Sequence, residues 1–233
     1  FMCKSGTEVR DTMANFEVVE HFVSINGEGA KAGQLALFIR LKGCNLKCKY
    51  CDTQWANGTD ADCVIMTEED IAKLIEASKI RNVTITGGEP LWRQHIDILL
   101  KRISRISDIC IEIETNGSIN LADYKNISDK ITFTVDYTLG CSGMEQSMFI
   151  ENYNNLTKND TVKFVVGNYE DLIKAKNIIE RIKQTGVKLY LSPVFDSIEP
   201  RDIVQFMIDN KMNGVNLQLQ LHKYIWNPSQ KGV

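Results

Sequence analysis

The chain has 233 residues, 43% of them hydrophobic, and a formal net charge of −3 from 27 basic and 30 acidic side chains. This length suits one α/β domain, and a slightly acidic chain without a basic patch is a poor candidate for stable nucleic-acid binding. No apolar run approaches the roughly 18 residues of a membrane span, and the polar start "FMCKSGTEVRDTM" lacks the apolar core of a signal peptide. We therefore expect a cytoplasmic protein.

Apolar runs alternate with helical patterns along the chain. The predicted strands span 35–41, 82–86, 109–114, 131–137, 161–166, 187–192 and 215–220. The predicted helices span 67–79, 91–105, 169–184 and 199–210. This alternation predicts an α/β fold with six to seven mostly parallel strands, either an open sheet or an incomplete (β/α) barrel. Because the chain begins with Phe1 and Met13 is a candidate initiator, we expect 1–12 to be a tag remnant or disordered and 13–233 to form a single domain.

Distinctive motifs follow the first three predicted strands. A cysteine-rich loop follows the first strand, "GGEP" follows the second and "ETNG" follows the third. In parallel α/β folds, functional sites gather where the carboxyl ends of the strands meet. The three motifs are therefore expected to converge on one rim.

The cysteine loop "CNLKCKYC" has the spacing C-x3-C-x2-C, with Cys44, Cys48 and Cys51. Thiolates select iron–sulfur clusters or zinc. A structural zinc site needs four ligands, and Cys63 is the nearest candidate for a fourth. Three ligands instead suit a centre that keeps one coordination position open. Three buried structural cysteines are a further alternative, which the polar loop disfavours.

This spacing after a first strand resembles the radical S-adenosylmethionine superfamily, in which three cysteines hold a 4Fe–4S cluster. The resemblance implies that the fourth iron binds S-adenosylmethionine, so the missing ligand is the cosubstrate. "TGGEP" fits the same superfamily, because Gly87 and Gly88 allow a close backbone approach. The cofactor-binding positions implied are Tyr50, Asp52, Gly87, Gly88, Glu89, Glu114, Asn116, Asp136, Tyr137 and Thr138.

Longer segments resemble one family within that superfamily, the 7-carboxy-7-deazaguanine synthases, and specifically their clostridial-type branch. They are "FVSINGEGAKAGQLALFIRLKGCNLKCKYCDTQWA", "TGGEPL", "IETNG" and "LQLQLHKYIWNPSQKGV". The resemblance implies radical-mediated ring contraction of 6-carboxy-5,6,7,8-tetrahydropterin to 7-carboxy-7-deazaguanine with loss of ammonia, in 7-deazapurine (queuosine) biosynthesis. It further implies Mg²⁺, a flavodoxin- or ferredoxin-like electron donor and a homodimer. No protein side chain is expected to act as an acid or base.

The same resemblance implies the substrate contacts, which are Ile25, Asn26, Gly27, Glu28, Arg40, Thr86 and Val233. Glu28 is suited to accept hydrogen bonds from an amino-pyrimidine edge, and Arg40 to bind the substrate carboxylate in bidentate fashion. Each position also has a plain structural alternative, such as a glycine-rich turn for "INGEG" or a surface ion pair for Arg40.

Two further features concern magnesium and the C-terminal tail. Thr53 matches the family's magnesium ligand, which suits a cation that takes few protein ligands. The tail is expected to close the active site and bring the carboxylate of Val233 to the pterin, although frayed chain ends are the ordinary case. His222 and Trp226, four residues apart, are expected to anchor the tail from one helical face.

The chain departs from the family pattern at two places. Asn26 stands where the family often has Gln, and Asp136-Tyr137-Thr138 replaces a frequent Ser-Pro-Lys, so that a lysine is missing. Two other functions remain open at this point. A glycyl-radical-enzyme activating protein would share the cysteine and "GGEP" motifs, and a non-catalytic iron–sulfur protein would share the cysteines.

Overall fold

The computed structural model describes residues 13–182 and 185–233, so the expectation for residues 1–12 lies outside the described residues. The strands are β1 (Asn15–Ile25), β2 (Leu35–Leu41), β3 (Val64–Thr67), β4 (Asn82–Gly87), β5 (Cys110–Thr115), β6 (Ile131–Thr138), β7 (Thr161–Val166), β8 (Lys188–Pro193) and β9 (Val215–Leu217). The helices are α1 (Glu68–Ser78), α2 (Ile96–Ile103), α3 (Ala122–Lys125), α4 (Glu151–Asn154), α5 (Tyr169–Ile182), α6 (Pro200–Asp209) and α7 (His222–Ile225).

All nine of these strands form one sheet in the order β3-β1-β2-β4-β5-β6-β7-β8-β9. Strand β2 pairs in parallel with β4, and the parallel pairing continues strand by strand from β4 to β9. This confirms the predicted mostly parallel sheet. Two antiparallel strands, β1 and β3, were not predicted and extend one edge. Because β3 and β9 stand at opposite edges, the sheet is open, as in an incomplete barrel.

A bulge explains why β1 lacks a clear strand pattern. Its register with β2 shifts between Val18 and Glu20. Before the shift, Phe16 and Val18 are buried in the hydrophobic core. After the shift, Glu20 and Phe22 line the cavity on the other face of the sheet. The bulge therefore exchanges the faces on which alternate residues lie.

The two faces of the sheet have different chemistry. Apolar side chains pack on the face that the long helices cover, including Ile39, Ile85, Ile113, Val135 and Phe164. The other face carries polar side chains on the same strands, including Arg40, Thr86, Glu114, Asp136 and Lys163. Strand alternation separates the two sets, because neighbouring residues point to opposite faces.

The helix predictions hold with small shifts in their bounds. Thr67 caps α1 and forms a reciprocal capping box with Asp70. The second helix begins later than predicted, because residues Pro90–Trp92 form a 3-10 turn and His95 adopts a left-handed conformation before α2. None of the helices in the described ranges is long and apolar enough to cross a bilayer.

The turn after β1 is fastened to the far side of the sheet. The buried side chain of Gln218, just beyond β9, accepts a hydrogen bond from the Gly29 backbone N–H at 2.8 Å and donates one to the Gly29 carbonyl at 3.1 Å. Gly29 has φ +78°, and a Cβ there would lie 2.8 Å from Glu112 Oε1. The turn thus spans from the first strand to the last strand.

We expect Gln218→Met to lower the free energy of unfolding by about 1–3 kcal/mol, because it preserves volume and leaves the buried backbone N–H of Gly29 unpaired. Urea unfolding of the metal-free protein measures this loss. Gln205→Met is the matched control, since the exposed Gln205 bonds only to Asp209 on α6. Equal effects of the two substitutions would contradict the role assigned to Gln218.

Candidate active site

A cavity of about 870 Å³ opens at the carboxyl ends of the parallel strands. The predicted site residues line it, with the exceptions of Asn26, Glu89 and Tyr137. The cysteine loop, the "GGEP" loop and the "INGEG" turn therefore meet at one site. Residues 228–233 of the C-terminal tail also line this cavity.

Cys44, Cys48 and Cys51 carry free thiols and open onto this cavity. The Cys44 sulfur accepts hydrogen bonds from the Leu46 backbone N–H at 3.4 Å and from the Asn116 amide at 3.6 Å. The Asn57 amide donates to the Cys51 sulfur at 3.9 Å. Donors directed at sulfur stabilise thiolates and are typical of iron–sulfur ligands.

The thiols are also close enough to repel one another when they ionise. Burial, together with the charges of Cys51 and Cys44, raises the pKa of Cys48 to about 12. A bound cationic centre would remove this repulsion. Among the described residues, no three histidine, cysteine or carboxylate side chains converge closely enough to hold one metal ion. Three thiols around a shared space suit a larger cluster, and Cys63 instead lies beside Glu17 and Lys42.

The glycines of "GGEP" are required by the packing of two loops. A Cβ at Gly87 would lie 2.2 Å from the Leu41 carbonyl oxygen, and one at Gly88 would lie 2.3 Å from the Gly43 carbonyl oxygen. Any larger residue would push this loop away from the cysteine loop. Packing therefore requires glycine at both positions, in addition to any need for a ligand to approach the backbone closely.

Glu89 joins the same loop to the "ETNG" loop from beneath the cavity. Its buried carboxylate accepts from the Leu91 N–H at 3.0 Å, the Asn116 N–H at 2.7 Å and the Thr115 hydroxyl at 2.9 Å. Burial raises the pKa of Glu89 to about 7 although these donors oppose the shift. Glu89 therefore orients Asn116, which contacts the Cys44 sulfur.

The opposite wall of the cavity centres on Glu28. Its carboxylate accepts from the Ser192 hydroxyl at 2.8 Å, the Lys163 ammonium at 3.1 Å and the Gln220 amide at 3.3 Å. Burial opposes ionisation, but Lys163 and the two neutral donors outweigh it and hold the pKa of Glu28 below its usual value. Lys163 also lies 3.2 Å from Asp136.

Arg40 and a pair of aromatic rings form the side wall. The Nε of Arg40 donates to Glu20 at 2.8 Å, which leaves its terminal nitrogens without a partner in this ion pair. Phe22 stacks on Phe38 with ring centroids 5.1 Å apart, and both rings line the cavity. This wall combines a guanidinium group with a flat apolar surface.

The tail contacts both the "INGEG" turn and the cysteine loop. The Leu221 N–H donates to the Gly27 carbonyl at 3.1 Å, and His222 packs so closely that a Cβ at Gly27 would lie 2.3 Å from its Nδ1. Lys223 forms an ion pair with Asp52 at 2.9 Å. Lys231 stacks over the Trp55 ring at 3.9 Å.

Besides Glu89, two predicted site residues lie away from the cavity, and Trp226 lies outside the expected helix. Tyr137 is on the helix-covered face, where it packs against Phe164 and Tyr153. Asn26 is buried, and its side-chain oxygen accepts from the Thr84 hydroxyl. Trp226 follows α7 with an extended backbone, so it does not continue the helical face of His222.

The sequence reasoning missed Lys163, Ser192, Gln220 and Lys223, which all line the cavity. One signal was available for Lys163. It is the only charged residue in the predicted strand 161–166, "TVKFVV". A lysine in the middle of a buried strand needs a charged partner, and this chain supplies two.

Comparisons with known proteins show the family to which the chain is related. The Radical SAM superfamily model matches residues 38–207. The 7-carboxy-7-deazaguanine synthase of Clostridium acetobutylicum is 50% identical over 222 residues, which cover 94% of this chain and 100% of that protein. The synthase of Chlorobaculum tepidum is 31% identical over 226 residues, 95% of this chain and 99% of that protein.

Two solved structures share the fold. Escherichia coli QueE superposes with a TM-score of 0.67 at 22% identity, covering 88% of this chain and 93% of that chain. Streptococcus suis SuiB bound to S-adenosylmethionine superposes with a TM-score of 0.52 at 17% identity, covering 76% of this chain and 45% of that chain.

We expect Glu89→Gln to destabilise the protein by about 1–3 kcal/mol, because an amide nitrogen would then face either the Leu91 or the Asn116 N–H. Thermal and urea unfolding of the metal-free protein measure the loss. Glu76→Gln, on the exposed surface of α1, serves as the control. Wild-type stability in Glu89→Gln would show that the carboxylate does not hold these two loops together.

Proposed function

The chain belongs to the radical SAM superfamily and, within it, to the 7-carboxy-7-deazaguanine synthase family, and we propose that it converts 6-carboxy-5,6,7,8-tetrahydropterin into 7-carboxy-7-deazaguanine with loss of ammonia. This reaction belongs to the biosynthesis of 7-deazapurines such as queuosine. We further propose that the protein works in the cytoplasm as a homodimer and receives electrons from a flavodoxin- or ferredoxin-like protein. The exposed Lys47 and Lys49, which flank Cys48, suit an acidic donor of that kind.

One observation carries the proposal. The three thiols of the cysteine loop face the same cavity as Glu28 and Arg40, two side chains suited to the two ends of a carboxypterin. A protein that only transferred electrons would have no need of a carboxylate and a guanidinium group in the same enclosed space. An enzyme that activates a partner protein would need access for a polypeptide at the place that residues 228–233 line.

The cysteine half of the cavity suits a 4Fe–4S cluster and S-adenosylmethionine. When bound, the cluster supplies an electron that cleaves S-adenosylmethionine and yields a 5′-deoxyadenosyl radical. Cys44, Cys48 and Cys51 would hold the cluster, and Asn116 and Asn57 stabilise two of the sulfurs. Glu114 and Asp136 line the adjoining wall, where their carboxylates suit ribose hydroxyls.

The half of the cavity that contains Glu28 and Arg40 suits the pterin. Glu28 is kept ionised and uses three of about four acceptor positions on its oxygens, so it can accept a further hydrogen bond from the amino-pyrimidine ring. The remaining donors of Arg40 suit the substrate carboxylate, because a planar fork matches that group. Phe22 and Phe38 exclude water beside them. No side chain is assigned as an acid or base.

Thr53 and the tail complete the proposed site. The Thr53 hydroxyl lies 3.5 Å from the Cys51 sulfur and lines the cavity, where it would suit a Mg²⁺ ion as one of its few protein ligands. Lys223 and Lys231 hold the tail against the cysteine loop. Val233 at its end is proposed to cover the pterin.

Anaerobic turnover tests the function directly. The protein with a reconstituted cluster is mixed with dithionite, S-adenosylmethionine, Mg²⁺ and 6-carboxytetrahydropterin, and 7-carboxy-7-deazaguanine is measured by mass spectrometry. We expect product from the wild type and none from Cys48→Ala. Steady release of 5′-deoxyadenosine without the deazaguanine would reject the proposed substrate while leaving the radical chemistry in place.

We expect Arg40→Lys to lower kcat/KM for the pterin by about 10²-fold, because a single ammonium cannot bind Glu20 and the substrate carboxylate with the same geometry. Arg102→Lys is the control, since Arg102 also pairs with a glutamate, Glu69, but through two hydrogen bonds and away from the cavity. Initial rates over a range of pterin concentrations measure both. Equal rates for the two variants would argue against Arg40 as the carboxylate ligand.

A further inference from the structure

A lysine is buried in the cavity at a position that no motif assigns. Lys163 lies on β7 opposite Asp136 of β6, and its side chain is 12% exposed. Its ammonium lies 3.1 Å from Glu28 Oε2 and 3.2 Å from Asp136 Oδ1. Burial favours the neutral form, but the two carboxylates outweigh it and raise the pKa of Lys163. Lys163 therefore enters the cavity as a cation.

The hydrogen bonds of this ammonium leave one donor free. An ammonium has three N–H bonds, and Glu28 and Asp136 account for two of them. Lys163 lines the cavity, so its third N–H is available to a molecule bound there. Burying an unused donor is costly, which makes an acceptor on a bound molecule the natural partner.

Glu28 and Lys163 together present an acceptor beside a donor. Their charged atoms are 3.1 Å apart, and the Ser192 hydroxyl fixes the other oxygen of Glu28 at 2.8 Å. A pyrimidinone ring carries the complementary pair, since its ring N–H adjoins its carbonyl oxygen. A diaminopyrimidine does not, because an amino group replaces that carbonyl and would point a donor at the lysine.

We propose that Lys163 is a specificity-determining residue that donates a hydrogen bond to the ring carbonyl oxygen of a 2-amino-4-oxo-pteridine whose adjoining ring N–H binds Glu28. The proposal rests on the proposed function, because it names the part of the pterin that this wall of the cavity recognises. Asp136 has a supporting role. Its carboxylate holds the lysine in the cavity and, with Glu28, balances its charge.

Discrimination between two pteridines tests this role. The holoenzyme with S-adenosylmethionine is titrated anaerobically with 6-carboxypterin and with 2,4-diamino-6-carboxypteridine, and binding is followed by pteridine fluorescence. We expect the wild type to prefer the oxo compound by about tenfold or more and Lys163→Met to prefer it by less than about threefold. The double variant Lys163→Met, Asp136→Asn keeps the net charge of the group formed by Glu28, Asp136 and Lys163. It is used if the single variant does not fold.

Lys125→Met is the matched control, because Lys125 forms a half-buried ion pair with Asp160 outside the cavity. It should keep the wild-type preference. If the Lys163 variants also keep that preference while both affinities fall equally, Lys163 only balances charge and the proposal is wrong. If the wild type binds neither pteridine, this role is rejected, whereas the turnover assay with 6-carboxytetrahydropterin decides separately whether the proposed substrate is correct.

Discussion

Glu28 is the contact on which the shape of this cavity depends. The sheet is open, and its first and last strands are not paired with each other. The turn after β1 crosses that gap, and Glu28 receives hydrogen bonds from Lys163 of β7, Ser192 of β8 and Gln220 beyond β9. Gln218 fixes the backbone of the same turn. These polar side chains thus bridge the gap between the first and last strands, which strand pairing leaves open.

The wall of the cavity that carries the cysteine loop is held together by backbone packing and by a buried carboxylate. Gly87 and Gly88 let two loops pack backbone against backbone, and Glu89 ties them to the third strand-end loop. Asn116 then reaches the Cys44 sulfur from that loop. The short hydrogen bonds of the buried Glu89 therefore fix the strand-end loop from which Asn116 reaches the Cys44 sulfur.

The sequence predicts the parallel strands well because both faces of such strands are buried and read as continuous apolar runs. β2 and β7 have the predicted bounds for that reason. β1 was missed because its bulge exchanges faces and breaks the alternation. Lys163 was missed as a site residue because its partners, Glu28 and Asp136, are set by register and by a turn distant in sequence. Tyr137 was predicted to contact the cofactor together with its two neighbours. Adjacent side chains of a strand point to opposite faces, so Tyr137 faces away from the cavity.

We propose that one cavity holds the cluster and the pterin against each other, with Glu28 at the ring and Arg40 at the carboxylate. An anaerobic crystal structure of the reconstituted protein with S-adenosylmethionine and 6-carboxytetrahydropterin measures this most directly. We expect a cluster on Cys44, Cys48 and Cys51 and a pterin whose ring N–H donates to Glu28 while Arg40 binds its carboxylate. A pterin bound elsewhere, or with its carboxylate away from Arg40, would contradict it.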